Sequence, residues 1–183
     1  MSRKPVKSAF AAAMLAFGPA TGVLAADPEN TLYLELDSGR VVIEMLPDVA
    51  PKHVARIKEL AREQFYDGVP FHRVLDGFMA QTGDPTGTGT GGSGQKLPAE
   101  FSDISFERGA VGMARTQDPN SGDSQFFIMF QPNPHLNGQY TVWGRVTDGM
   151  ELVDQVTRID PQRPQAGVEP SRVIAARVAA DVD

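Results

Sequence analysis

Residues 71–84 read Phe71-His72-Arg73-Val74-Leu75-Asp76-Gly77-Phe78-Met79-Ala80-Gln81-Thr82-Gly83-Asp84. Two short apolar runs, Phe71–Leu75 and Phe78–Gln81, are separated by Asp76-Gly77 and read as short strands. Isolated polar groups, Arg73 and Gln81 among them, interrupt these runs in a way that ordinary strands do not require. A second segment has the same character: Gly112-Met113-Ala114-Arg115-Thr116-Gln117-Asp118-Pro119-Asn120-Ser121-Gly122-Asp123-Ser124-Gln125-Phe126-Phe127-Ile128. Outward from these two, Thr31–Asp37 and Arg40–Met45 flank Ser38-Gly39 and predict a hairpin. Further strands are expected at Ala110–Ala114, Gln125–Phe130 and Tyr140–Val146, with a closing strand at Arg172–Val178. From Ala50 to Gln64, Val54, Ile57, Leu60 and Ala61 recur at helical spacing behind Pro51 and predict an amphipathic helix. Met150, Val153 and Val156 predict a second helix over Gly149–Arg158. Many short strands at such spacing indicate a barrel or a sandwich.

The chain has 183 residues, 41% of them apolar and 22% charged, which suits one domain. Its 18 glycines and 14 prolines fall short of low-complexity composition. A formal charge of −6 and a pI near 5.0 argue against nucleic acid as a partner, because phosphate backbones demand a basic surface. The absence of cysteine excludes disulfides, thiolate catalysis and thiolate metal sites. Arg3, Lys4 and Lys7 precede the apolar run Ala9 to Phe17, the Gly18-Pro19 break and the small residues Val23-Leu24-Ala25-Ala26. This order predicts a signal peptide over residues 1–25, cut after Ala25 or one residue later, and a single domain over 26–183. The apolar run is too short to cross a bilayer, which takes about 20 residues, so no membrane span is expected in the mature chain. The expected location is the periplasm, or outside the cell if the host has no outer membrane.

Several motifs match only formally. Gly89-Thr90-Gly91-Gly92-Ser93-Gly94 fits the dinucleotide fingerprint, but Pro98 follows where a helix should begin and no strand leads in. It reads as a flexible surface loop. His53, His72 and His135 lack metal-ligand spacing, so no metal and no cofactor is expected. Ser121 and Ser124 lack a nucleophile elbow and read as a turn.

The F-H-R…G-F-M-x-Q-x-G-D and S-Q-F-F-I blocks, in this order along the chain, resemble the cyclophilin family of peptidyl-prolyl isomerases. The resemblance covers nearly the whole chain after the leader. It implies an all-β-dominated fold: a closed eight-stranded antiparallel barrel capped by two α-helices, its interior filled by side chains and its substrate in an outer groove. It further implies that Arg73 and Gln81 are catalytic, and that Phe78, Met79, Arg115, Thr116, Gln125, Phe127, His135, Leu136 and Tyr140 bind substrate. Gln81 would hold the substrate carbonyl or orient Arg73. The backbone at Arg115 would pair with an extended peptide while its side chain lies on the rim. The implied partners are proline-containing unfolded or extended polypeptides, and the expected state is a monomer. His135 and Tyr140 stand where many eukaryotic members have tryptophan and histidine, which implies weak cyclosporin binding. His72 reads as structural, since turning an imide bond transfers no proton. The competing functions are a module that binds proline segments without turning them and a hydrolase or nuclease. No nucleophile–base pair or metal cluster is visible for the latter.

Overall fold

The computed structural model describes residues 27–182. The leader reading lies outside them. In chain order the elements are β1 (Thr31–Leu36), β2 (Gly39–Met45), α1 (Pro51–Arg62), β3 (Arg73–Leu75), β4 (Met79–Thr82), β5 (Ala110–Met113), β6 (Phe126–Met129), β7 (Val142–Asp148), α2 (Met150–Val153) and β8 (Ala175–Val178). The strands form one curled antiparallel sheet in the order β3-β4-β6-β5-β7-β2-β1-β8.

The β1–β2 hairpin forms as its alternation requires. Leu32, Leu34 and Leu36 face the core together with Val41, Ile43 and Met45, while Tyr33 and Glu35 point away. Helix α1 lays Val54, Ile57, Leu60 and Ala61 into the same core and packs on β7 and β8. Its N-terminal residue Ala50 offers no capping side chain. Glu100, far along the chain, supplies the missing acceptor: its carboxylate takes the amides of Lys52 and His53 at 3.1 Å and His53 Nδ1 at 2.7 Å. Trp143 fills the centre, edge-on to Phe126 at 5.4 Å.

Two expectations need correction. The barrel is not closed by a ladder, because the edge strands β3 and β8 do not pair. The segments before them meet instead, through Phe71 N to Ser171 O at 2.9 Å and Val173 N to Val69 O at 2.9 Å. Pro70 lies opposite Arg172 in that single bridge, and the pairing stops before β3, which is only three residues long. The second helix is also shorter than Gly149–Arg158. After one turn, the Arg158 guanidinium takes the carbonyl of Asp154 at 2.9 Å, which a continuing helix would give to its own backbone.

Strands β5 and β6 are buried throughout and β4 at every position but Gln81, with alternate residues entering different clusters. Ala80, Val111, Phe126 and Ile128 join the main core, whereas Met79, Ala110, Phe127 and Met129 join a second, outer cluster with Phe106 and Val142. A period of two therefore splits Phe126-Phe127-Ile128-Met129 between inside and outside.

Gly83, which follows β4, holds φ at +90°, and a Cβ there would collide with the Ser124 carbonyl oxygen. Gly83→Ala is therefore expected to lower stability by roughly 2 kcal/mol or more in urea unfolding. An unchanged midpoint would contradict this packing.

Candidate active site

The outer face of the sheet carries one cross-strand row. Arg73 of β3 pairs with Gln81 of β4, Gln81 with Phe127 of β6, and Phe127 with Gly112 of β5. Neighbours in such a row stand about 5 Å apart, so strand register alone brings a cation, an amide and an aromatic ring together. Gly112 completes the row by having no side chain. A Cβ there would lie 2.6 Å from Phe106 Cε1, inside the space taken by the rings of Phe106 and Phe127, which stack at 5.6 Å.

Above this row lies a cavity of about 110 Å³, lined by Arg73, Phe78, Met79, Gln81, Ala114, Arg115, Phe127, Leu136 and Tyr140. Phe78, Met79, Ala114, Phe127 and Leu136 give it apolar walls, and Arg73 and Arg115 bring charge. The Arg73 guanidinium is half-buried, 5.8 Å from the Phe78 ring centroid and 4.0 Å from Met79 Sδ. Its Nη1 donates to Gln81 Oε1 at 3.3 Å, Gln81 Nε2 donates to Gln125 Oε1 at 2.9 Å, and Gln125 Nε2 donates to the carbonyls of Gly89 and Gly91 at 3.0 and 2.7 Å. This relay runs one way, from cation to loop backbone, through neutral amides. Among the described residues Arg73 has no carboxylate partner, so its charge stays directed at the cavity. Burial pushes the Arg73 guanidinium pKa down from its ordinary value, and the charge of Asp160 pulls it part of the way back up.

An adjoining hollow of about 270 Å³ shares Gln81, Ala114 and Arg115 with the first and extends it along the glycine-rich loop. Thr116 and Gln125 fall here, beside Lys96. The Arg115 guanidinium folds over Tyr140, 4.3 Å from the ring centroid, and donates to the Gln139 and Thr116 carbonyls at 2.9 and 2.8 Å. His135 is exposed on the short turn Pro134–Leu136 and lines neither hollow, while Leu136 beside it lines the first. Sequence reasoning missed Ala114, Phe106 and Gly112. Ala114 ends an expected strand and gave a weak signal; Phe106 sits in an irregular stretch whose contacts exist only after folding.

The loop expected to be merely flexible is tethered at two points. Asp84, fully buried, accepts from the amides of Thr86, Gly89 and Gly91 at 2.8, 2.7 and 3.1 Å and from the Thr86 hydroxyl at 2.7 Å. Asp123 accepts from the amides of Ser93 and Gly94 at 2.7 and 3.1 Å, from the Ser93 hydroxyl and from Lys96 at 3.2 Å. Gly91 and Gly92 lack side chains where a Cβ would strike these carboxylates. The glycines thus serve close approach of backbone to carboxylate. Among the described residues, no group of three His, Asp or Glu side chains is placed to hold a metal.

Comparison with known proteins bears on this geometry. Residues 31–178 match the family described as cyclophilin type peptidyl-prolyl cis-trans isomerase/CLD. A probable peptidyl-prolyl cis-trans isomerase of Brucella suis is 51% identical, over 96% of this chain and 97% of the relative. Peptidyl-prolyl cis-trans isomerase B of Bacillus subtilis is 45% identical over 70% of this chain and 90% of its own. Among solved structures, cyclophilin AquaCyp293 from Hirschia baltica superimposes with a TM-score of 0.76 at 29% identity, covering 86% of this chain and 77% of that one. A Cryptosporidium parvum cyclophilin, crystallised in the presence of the dipeptide Ala-Pro, gives 0.73 at 27% identity, covering 81% and 98%. The chain belongs to the cyclophilin-type peptidyl-prolyl cis-trans isomerases. It is an enzyme whose substrates are proline-containing peptides.

The Asp84 tether gives a pH signature. Burial pushes its carboxyl up, but the Thr86 hydroxyl and the Gly91, Thr86 and Gly89 amides outweigh burial and bring it from 3.8 to about 2. The folded value is depressed, so this stabilisation is present above the unfolded value and lost as pH falls through the folded one. Urea unfolding between pH 6 and pH 2 is expected to show stability falling below about pH 4. Asp84→Asn should be weaker at neutral pH and flatter across that range. An unaltered slope in the variant would contradict the tether.

Proposed function

We propose that the cavity above the Arg73–Gln81–Phe127 row turns X-Pro bonds without covalent chemistry. The observation that carries this is a half-buried guanidinium with no carboxylate partner, held at the edge of a small apolar cavity. A cavity of about 110 Å³ suits one small ring better than a drug-sized ligand. Phe78, Met79, Phe127 and Leu136 would pack the proline ring there.

Rotation about an X-Pro bond breaks amide resonance and crosses about 18–20 kcal/mol. As the bond twists, the proline nitrogen recovers a lone pair. Arg73 donates to that nitrogen and so favours the twisted state over either planar isomer. One charge-assisted hydrogen bond contributes about 1.5–3 kcal/mol, which is one to two decades of rate. A 10⁵-fold acceleration takes roughly 7 kcal/mol, so the apolar walls must supply the rest by excluding water and fixing one end of the rotating bond. The relay through Gln81 and Gln125 favours the reading in which Gln81 orients Arg73. Tyr140 and Arg115 cover the rim, and Thr116 and Gln125 would meet the residues that precede proline. His135, exposed and outside the cavity, offers no indole to a bulky cyclic ligand, so cyclosporin binding is expected to be weak.

The same proposal places the enzyme, as a monomer, among exported proteins. Its support is the order of basic, apolar and small residues over 1–25 and the lack of cysteine. Among the described residues no helix is long and apolar enough to cross a membrane.

Magnetisation exchange on an X-Pro peptide tests the chemistry. Arg73→Ala is expected to slow catalysed cis/trans exchange by one to two decades while peptide binding stays within a fewfold. Binding with no catalysed exchange in the wild type would favour a proline-binding module instead. Expression in a Gram-negative host tests the location: the periplasmic fraction should hold a chain beginning at Ala26 or Asp27. An intact Met1 in the cytoplasm would overturn it.

A further inference from the structure

Away from the groove, a hollow of about 400 Å³ opens between the entry to β3, the first residues after β4 and the segment 158–172 that returns to β8. Its size falls within the range of small-ligand sites. Pro70, Pro85, Pro161, Pro164 and Pro170 wall it. Their fixed backbone angles leave little freedom to lose on binding, so the hollow stands open before a ligand arrives.

Its charge runs against that of the chain. Arg158, Arg163 and Arg172 line it with one carboxylate, Asp160, on a protein of formal charge −6. Arg158 is spent on other partners: its Nε pairs with Asp76 at 3.2 Å, its Nη1 bonds the carbonyls of Asp154 and Val156, and the guanidinium lies 4.6 Å from the Phe130 ring centroid, which leaves Arg163 and Arg172 as the cations open to a ligand. Arg172 gives one hydrogen bond, to the Gly68 carbonyl at 2.8 Å, and among the described residues pairs with no carboxylate. Arg163 is 89% exposed and lies 3.9 Å from Asp160, a contact too open to neutralise either group. His72 also lines the hollow. It is 7% exposed, and neither ring nitrogen has a hydrogen-bond partner.

We propose that this hollow binds a compact ligand that carries an oxyanion on an apolar body. Arg172 and Arg163 take the oxyanion with their free N–H groups, and the prolines pack the body beside the His72 ring. The wall is tied to β3 by Val74 N to Ile159 O at 2.7 Å and Ile159 N to Val74 O at 3.0 Å. Occupancy will therefore register at the amides flanking Arg73. The site stands or falls independently of what Arg73 does to a proline bond.

The test is a titration of the ¹⁵N-labelled chain with phenyl phosphate, inorganic phosphate and phenol at constant ionic strength. Saturable shifts are expected at residue 72, at 158–165 and at 172. Phenyl phosphate should bind about tenfold more tightly than inorganic phosphate, and phenol should not saturate. Arg163→Gln and Arg172→Gln should each weaken phenyl phosphate about tenfold. Arg163 is exposed, so its replacement should leave the fold intact and the result readable. Shifts that stay linear in concentration, that centre on Arg73 and Arg115, or that persist unchanged in both variants would overturn the proposal. Equal binding of phenol would do the same.

Discussion

The cross-strand row Arg73–Gln81–Phe127–Gly112 is the constraint on which the groove depends. Four strands contribute one position each, and a slip of one residue in any of them would turn its member into the core. The register is held from behind. Val74, Ala80, Phe126, Ile128 and Val111 alternate with the row and are all locked in the main core. Burial on the inner face thus fixes what the outer face presents.

Buried carboxylates and neutral amides divide the electrostatic work. Asp84 and Asp123 gather the amides of the glycine-rich loop, and the loop returns two carbonyls to Gln125. Gln125 orients Gln81, and Gln81 meets Arg73. A carboxylate in place of Gln81 would neutralise the guanidinium; an amide fixes it and leaves its charge free to act on a developing lone pair. The negative groups stand at the far end of the relay, separated from the cation by two side chains.

Arg115 shows how a groove changes character without a change of fold. It lies across Tyr140 and bonds the Gln139 carbonyl, so the cation closes one rim of the cavity while its neighbour Ala114 lines the floor shared with the adjoining hollow. The seam between β3 and β8 varies in a different way. Pairing there is limited to one bridge, Pro70 opposite Arg172, and the arginine-lined hollow lies beside it.

Local sequence determined a good part of this protein. Alternation in Thr31–Leu36 and Gly39–Met45 and the helical spacing from Pro51 to Arg62 fix those elements, because each must bury one face. The two motif-bearing segments also carried most of the groove, since Arg73, Phe78, Met79, Gln81 and Phe127 lie on strands or turns whose period of two sets their side. Only the tertiary structure decided the rest. No local pattern tells that Gly112 makes room for Phe106, that Glu100 caps α1, that His135 turns away while Leu136 turns in, or that the sheet's edges fail to meet. Those outcomes depend on groups far apart in the chain, and their free energies exist only once the core has brought them into contact.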